Sequence, residues 1–242
     1  MNPLRHLSLF TGFGGFELGL RAARIPFKTI GYVEIDRYCQ RIIRARVSDG
    51  ILDWAPILTD VRAADFRPMA GLVDIITAGF PCQPHSIAGL RRADGDDRDL
   101  WQDTLRAIGE VGPRCVLLEN VPGITTNGYA GTVVGQLANH GYDCCWGIVS
   151  AADAGAPHLR ERWWCFATAA DTDRAGCQEQ RIAEPATAKH KTNQCASWWE
   201  GLSGVGRVVH GGPNRVDRLR ALGNGIVPAV VAVFLERLGV NL

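Results

Sequence analysis

The segment Leu72-Val73-Asp74-Ile75-Ile76-Thr77-Ala78, followed by Gly79-Phe80-Pro81-Cys82-Gln83-Pro84, sets the frame for the chain. Its aliphatic and β-branched residues, closed by glycine and proline, read as a buried strand. Cys82 then lies just past the strand's carboxyl end, the edge where open parallel sheets collect ligands and chemistry. A buried cysteine alone is inert packing, so Cys82 becomes a candidate nucleophile only if other reactive groups reach the same edge.

Working outward, four further runs bring such groups there. Leu4 to Phe10 reads as a first strand. It leaves through the turn Thr11-Gly12-Phe13-Gly14-Gly15 into a helix that carries Phe16, Leu18, Leu20 and Ala23 and ends before Pro26. A second strand from Thr29 ends at Glu34, about twenty residues beyond the glycines, where an acidic side chain can bind a ribose. Asp36 caps a helix through Ile42 and Ile43, and Ile57-Leu58-Thr59-Asp60 is a short strand ending in a carboxylate. After a helix marked by Trp101, Leu105 and Ile108, the run Arg114 to Asn120 delivers Glu119. The pattern predicts an α/β fold, a mostly parallel sheet with helices on both faces. It places the glycines, Glu34, Asp60, Cys82 and Glu119 along one edge. The turn departs from G-x-G-x-x-G because Glu17 replaces the third glycine, which weakens a pyrophosphate ligand and leaves a nucleoside without phosphates.

The chain has 242 residues, 46% of them hydrophobic, and its 26 Lys and Arg nearly balance 25 Asp and Glu. It suits one main domain with a small appendage, and any polyanion site must be a local patch. Eight cysteines form no C-x-x-C pair, so no metal site is expected and free thiols in a cytoplasmic protein are the default. The amino terminus has neither a signal peptide nor a membrane span. Ile87 to Asp99 reads as a mobile surface loop. The calcium-loop template fails there because Asp99 stands where glycine is required.

Val133, Val134 and Leu137 mark another helix, and Tyr142 to Val149 a strand with Cys144 and Cys145 on opposite faces. Arg160 and Arg162 precede the apolar run Trp163 to Ala167, and on a strand their spacing points both to one face. Residues 170–212 are polar, with little periodicity, and hold Trp198-Trp199 as a packing anchor. Then come Arg215, Arg218 and Arg220, the turn Leu222-Gly223-Asn224-Gly225, and a last helix with Ile226, Val230, Val233, Phe234 and Leu238 facing the core. The organisation is a domain over 1–169, a short region over 170–212, and a segment over 213–242 that returns to the first.

A thiolate adds to an electron-poor ring carbon while a protonated carboxyl neutralises charge on the ring. Cytosine fits: attack at C6 makes C5 nucleophilic, and a methyl sulfonium accepts that attack. The ordered set Leu9-Phe10-Thr11-Gly12-Phe13-Gly14-Gly15, Pro81-Cys82-Gln83, Glu119-Asn120-Val121, Arg160-Glu161-Arg162 and Leu222-Gly223-Asn224 resembles the signature of DNA (cytosine-C5) methyltransferases. The resemblance implies a Rossmann-like fold dependent on S-adenosyl-L-methionine, with double-stranded DNA as the substrate and a base that leaves the duplex. It implies Cys82 as nucleophile, Glu119 on N3 and the amino group of the base, and Arg160 and Arg162 on Glu119 and the pyrimidine oxygen. Phe10, Gly12, Gly14, Gly15, Glu34, Ile35, Asp60, Pro81 and Asn224 match cofactor-binding positions, Ile35 by stacking on adenine. Gln83, Ser86, Arg98 and Arg215 match DNA contacts. One relative of this family acts on tRNA, so tRNA is the alternative substrate, and a non-catalytic DNA-binding subunit is the alternative from another class. A role in restriction-modification, phage DNA protection or orphan methylation stays open.

Two departures stand out. His158 replaces the family's usual glutamine. The 170–212 region corresponds to target recognition and is short, which implies a short or relaxed recognition sequence in a monomer, or an accessory chain that assists.

Overall fold

Strand β4 (Ile75–Ala78) is buried along its whole length and sits in the middle of an eight-stranded sheet, where its residues pair in parallel with β1 (Leu4–Leu9) and β5 (Cys115–Asn120). A computed structural model describes residues 2–82, 99–170, 180–181, 223 and 225–240. The remaining elements are α1 (Gly15–Ala22), β2 (Phe27–Val33), α2 (Arg37–Ser48), β3 (Ile57–Leu58), α3 (Trp101–Val111), α4 (Tyr129–Asn139), β6 (Tyr142–Ser150), β7 (Glu161–Ala169), β8 (Gln180–Arg181) and α5 (Pro228–Arg237). Strand order is β3-β2-β1-β4-β5-β7-β6-β8, with β7 antiparallel to both of its neighbours. The order reverses between β1 and β4, so a crevice opens beyond their carboxyl ends.

Alternation along the strands divides the core. Leu7, Leu9, Ile76, Ala78, Val116 and Leu118 face Trp101 and Ile108 of α3 and Val133 and Leu137 of α4. Ile75, Cys115 and Leu117 face Phe16 and Leu20 of α1 and Val231 and Phe234 of α5. Those two helices approach closely: a Cβ on Gly19 would lie 2.5 Å from Val231 Cβ, so α5 can seat only against a glycine there. The α1 face also carries polar groups on β1. His6 is fully buried between the Thr29 and Thr77 hydroxyls at 3.0 and 2.8 Å, and burial lowers its pKa to about 3.

Several boundaries are tighter than the sequence pattern. β4 omits the first part of its apolar run: Leu72 is 52% exposed, and Asp74 instead takes a bidentate pair from Arg5 at 2.9 and 3.0 Å. β3 stops at Leu58, two residues short of Asp60. Ile226 lies before α5, because Pro228 fills the first helical turn. Cys82, Cys144 and Cys165 are free thiols. Cys145 is disulfide-bonded, which departs from the all-thiol expectation. Among the described residues no helix is long and apolar enough to cross a membrane.

Candidate active site

Left-handed residues shape the exit from β1. Phe10 has φ 54°, Gly12 60° and Gly14 91°, and the Gly14 N–H donates to Thr11 O at 3.0 Å to close the turn before α1. A non-glycine residue at positive φ is strained, and such strain gathers where backbone must approach a ligand. Glu34 braces this turn from β2. Its carboxylate accepts the Gly12 and Asp36 N–H groups at 2.7 Å each. Burial raises the Glu34 pKa against those bonds.

A cavity of about 300 Å³ lies over these strand ends, lined by Phe10, Gly12, Glu34, Ile35, Asp60 and Pro81 together with Gly79, Leu100 and Gly225. Ile35 is 60% exposed, an apolar surface free for a flat ring. Asp60 takes a bidentate pair from Arg62, which holds its carboxyl below the usual range. Gly15 lines a smaller adjoining cavity with Phe10, Gly79, Glu119, Gly225 and Ile226. Gly14 lines neither; a Cβ there would meet Leu52 at 3.0 Å. The lining is apolar, acidic and glycine-rich without a phosphate nest, a set that fits a nucleoside carrying an amino-acid tail better than a dinucleotide.

Cys82 follows β4 and is buried, with a backbone bridge to Asp99. Its thiol donates to Asn120 Oδ1, while Asn120 Nδ2 donates to Phe80 O at 2.9 Å. Asn120 therefore clasps the cysteine segment to the end of β5. The sequence displayed Asn120 beside Glu119, but a contact across 38 positions carries no local signal. Burial pushes the Cys82 thiol up to about 12, and the negative charges of Asp99 and Glu119 add to that. Asp99, held by the Tyr129 hydroxyl, is a second neighbour that pattern alone did not single out.

Glu119 is buried at the end of β5, and a Cβ on Gly79 would lie 3.3 Å from Glu119 Oε2, so the carboxyl leans across toward the β4 end. Arg162 Nε donates to Glu119 Oε1 at 2.9 Å. Burial raises the Glu119 pKa and outweighs the lowering by Arg162 and Arg160. The two arginines are not equivalent. β7 begins at Glu161, so Arg160 lies outside the strand with φ 27°, and its guanidinium turns to the Gly223 and Gly225 carbonyls at 2.9 and 2.6 Å. The same-face expectation fails because alternation holds only within a strand. His158 is exposed in the preceding loop. Gln83, Ser86, Arg98, Arg215 and Asn224 lie outside the described residues, as does nearly all of 170–212.

A thiol, a buried carboxyl and its arginine thus stand beside a nucleoside-sized cavity. The chain matches the C-5 cytosine-specific DNA methylase family over residues 4–203. It belongs to that family. It is 34% identical over 168 residues to the Type II methyltransferase M.CviJI of Paramecium bursaria Chlorella virus IL3A, covering 69% of this chain and 44% of the relative. It is 33% identical over 159 residues to M.NgoMIV of Neisseria gonorrhoeae, covering 64% and 49%. The chain thus spans about half the length of these relatives. The Dnmt2 methyltransferase of S. pombe superposes with a TM-score of 0.57 at 25% identity, over 71% of this chain and 53% of that one. The Spodoptera frugiperda DNMT2 mutant superposes at 0.68 with 13% identity, over 98% and 100%, a likeness of fold.

Proposed function

We propose that the chain is a DNA cytosine-C5 methyltransferase that acts on duplex DNA with S-adenosyl-L-methionine. The observation that carries this reading is the side-by-side delivery of Cys82 and Glu119 by adjacent parallel strands, with Arg162 on the carboxyl and the cavity opening beside them. When bound, the cofactor supplies an electrophilic methyl group. Phe10, Gly12, Glu34, Ile35 and Asp60 hold it, with Glu34 on the ribose and Ile35 against the adenine.

Cys82 gives up its proton to solvent and its sulfur forms a bond to C6 of the extruded cytosine. Glu119, whose carboxyl burial makes easier to protonate, gives a proton to N3, so the electron pair of the C5–C6 double bond reaches C5 without charge building on the ring. After C5 takes the methyl group and gives its proton to solvent, the C5–C6 double bond re-forms as the S–C6 bond breaks, the N3 proton returns to Glu119 and the thiolate is restored. Arg162 holds the Glu119 carboxyl in place and faces the pyrimidine oxygen. A thiol with a pKa near 12 is a poor nucleophile at rest, so activation must accompany substrate binding.

The test is transfer of labelled methyl groups to duplex DNA of varied sequence, with trapping on DNA that carries 5-fluorocytosine, where loss from C5 is blocked. Wild type should methylate and form the adduct, and Cys82→Ser should do neither. Absence of both from the folded wild-type chain overturns the proposal, and transfer to tRNA alone would move the substrate to RNA.

A further inference from the structure

Arg160 makes contacts that the reaction chemistry does not need. The backbone before β7 is pinned at its start, because the Ala151 N–H donates to Leu159 O at 2.9 Å and Arg160 O at 3.3 Å. Arg160 takes φ 27° there, an unfavourable conformation for a side-chain-bearing residue. One guanidinium nitrogen, Nη2, reaches both the Gly223 and Gly225 carbonyls, which flank position 224 in sequence. Gly225 lines both the large cavity and the smaller one beside Glu119. The next residue, Ile226, fills the space over Gly15, where a Cβ would come within 2.9 Å. The C-terminal segment thus closes a wall of both cavities and runs on into α5, and Arg160 is what ties it to the β7 side of the site.

We propose that Arg160 is a positioning residue that latches Gly223 and Gly225 beside the cofactor cavity, whereas Arg162 serves the carboxyl of Glu119. Arg162 hydrogen-bonds Glu119, whereas Arg160 acts on that carboxyl through its charge alone and spends its hydrogen bonds on the cavity wall. A charged donor to two carbonyls is among the stronger hydrogen-bonding arrangements. The latch rests on the methyltransferase reading for what fills the cavity, but the contact itself does not.

The experiment compares wild type, Arg160→Ala, Arg160→Lys and Arg162→Ala in the full chain. Calorimetry measures S-adenosylhomocysteine affinity, kinetics separate cofactor KM from kcat, and adduct formation on 5-fluorocytosine DNA is followed at saturating cofactor. Arg160→Ala should weaken S-adenosylhomocysteine roughly tenfold or more and raise cofactor KM in step. At saturating cofactor its adduct rate should fall less than that of Arg162→Ala. Arg160→Lys, whose ammonium can still reach a carbonyl, should recover part of the affinity. Arg162→Ala should do the reverse, holding affinity while adduct formation falls at least a hundredfold. Equal affinity in wild type and Arg160→Ala overturns the latch, as does a loss confined to kcat.

Amide hydrogen exchange at Val230 and Val231 in unliganded protein gives a readout that needs no substrate. Arg160→Ala should speed exchange there, and unchanged protection counts against the latch. If wild type binds no S-adenosylhomocysteine and forms no adduct, the enzymatic reading fails while the exchange result still decides the latch.

Discussion

Glu119 and Glu17 are both buried glutamates near the same glycine turn, yet their surroundings differ in kind. Glu119 ends β5, receives Arg162 at 2.9 Å and borders a cavity. Glu17 sits in the first turn of α1, 1% exposed, and neither of its carboxyl oxygens has a hydrogen-bond partner among the described residues. Burial raises both, and at Glu17 it lifts the pKa to about 7, with the neighbouring Ser8 hydroxyl and then Arg21 opposing. Desolvation alone therefore does not mark a reactive acid. What separates the two is a guanidinium that fixes one carboxyl and an opening that lets a substrate reach it.

The sharpest way to break this contrast is to make both carboxyls amides. Glu119→Gln keeps the shape but loses the proton that N3 needs, so kcat should fall by about 10²–10⁴. S-adenosylhomocysteine affinity should change by no more than about twofold, because Glu119 lies outside the lining of the large cavity. Methyl transfer at saturating cofactor, beside calorimetry, checks both halves. A variant with unaltered kcat would remove Glu119 from the chemistry.

At Glu17 the expected loss is in stability and in its pH dependence. The unfolded carboxyl titrates near the ordinary value of 4.5, while the folded one holds its proton to about 7. A raised folded pKa means the folded state binds more protons across that window. Its contribution is therefore full below 4.5 and is lost as pH rises to 7, on the order of 3 kcal/mol in total. Glu17→Gln should flatten that slope in denaturant midpoints measured from pH 4.5 to 7.5, with kcat near wild type. An unchanged slope would mean that the Glu17 carboxyl finds a partner in solution.

The same contrast explains how much the sequence disclosed. Strand ends were legible because alternating apolar runs closed by Gly, Pro or an acid are local signals, and these put Glu34, Asp60, Cys82 and Glu119 on one edge. The cross-chain contacts were not. Asn120 on Cys82 spans 38 positions, and Arg160 on Gly223 and Gly225 spans 63 and 65, so each depends on the finished fold. Arg160 misled for a further reason: spacing of two implies a shared face only on a strand, and β7 starts one residue later. Glu17 was visible as a missing glycine, but only packing of α1 on β1 reveals that it is an orphaned acid.

The smallest effect tests whether that acid is truly alone. Ser8 alternates with His6 on β1, and where His6 finds two threonine hydroxyls, Ser8 Oγ is buried without a partner among the described residues. Burying an unpaired hydroxyl costs free energy, so replacing it with a methyl group removes a penalty at the price of a small change in volume. Ser8→Ala should leave stability unchanged or raise it by about 1 kcal/mol in chemical denaturation at pH 7. A loss of that size would show instead that Ser8 pairs with the protonated Glu17. The slope seen with Glu17→Gln would then report a hydrogen-bonded pair, and the contrast with Glu119 would become one of neutral against charged partners.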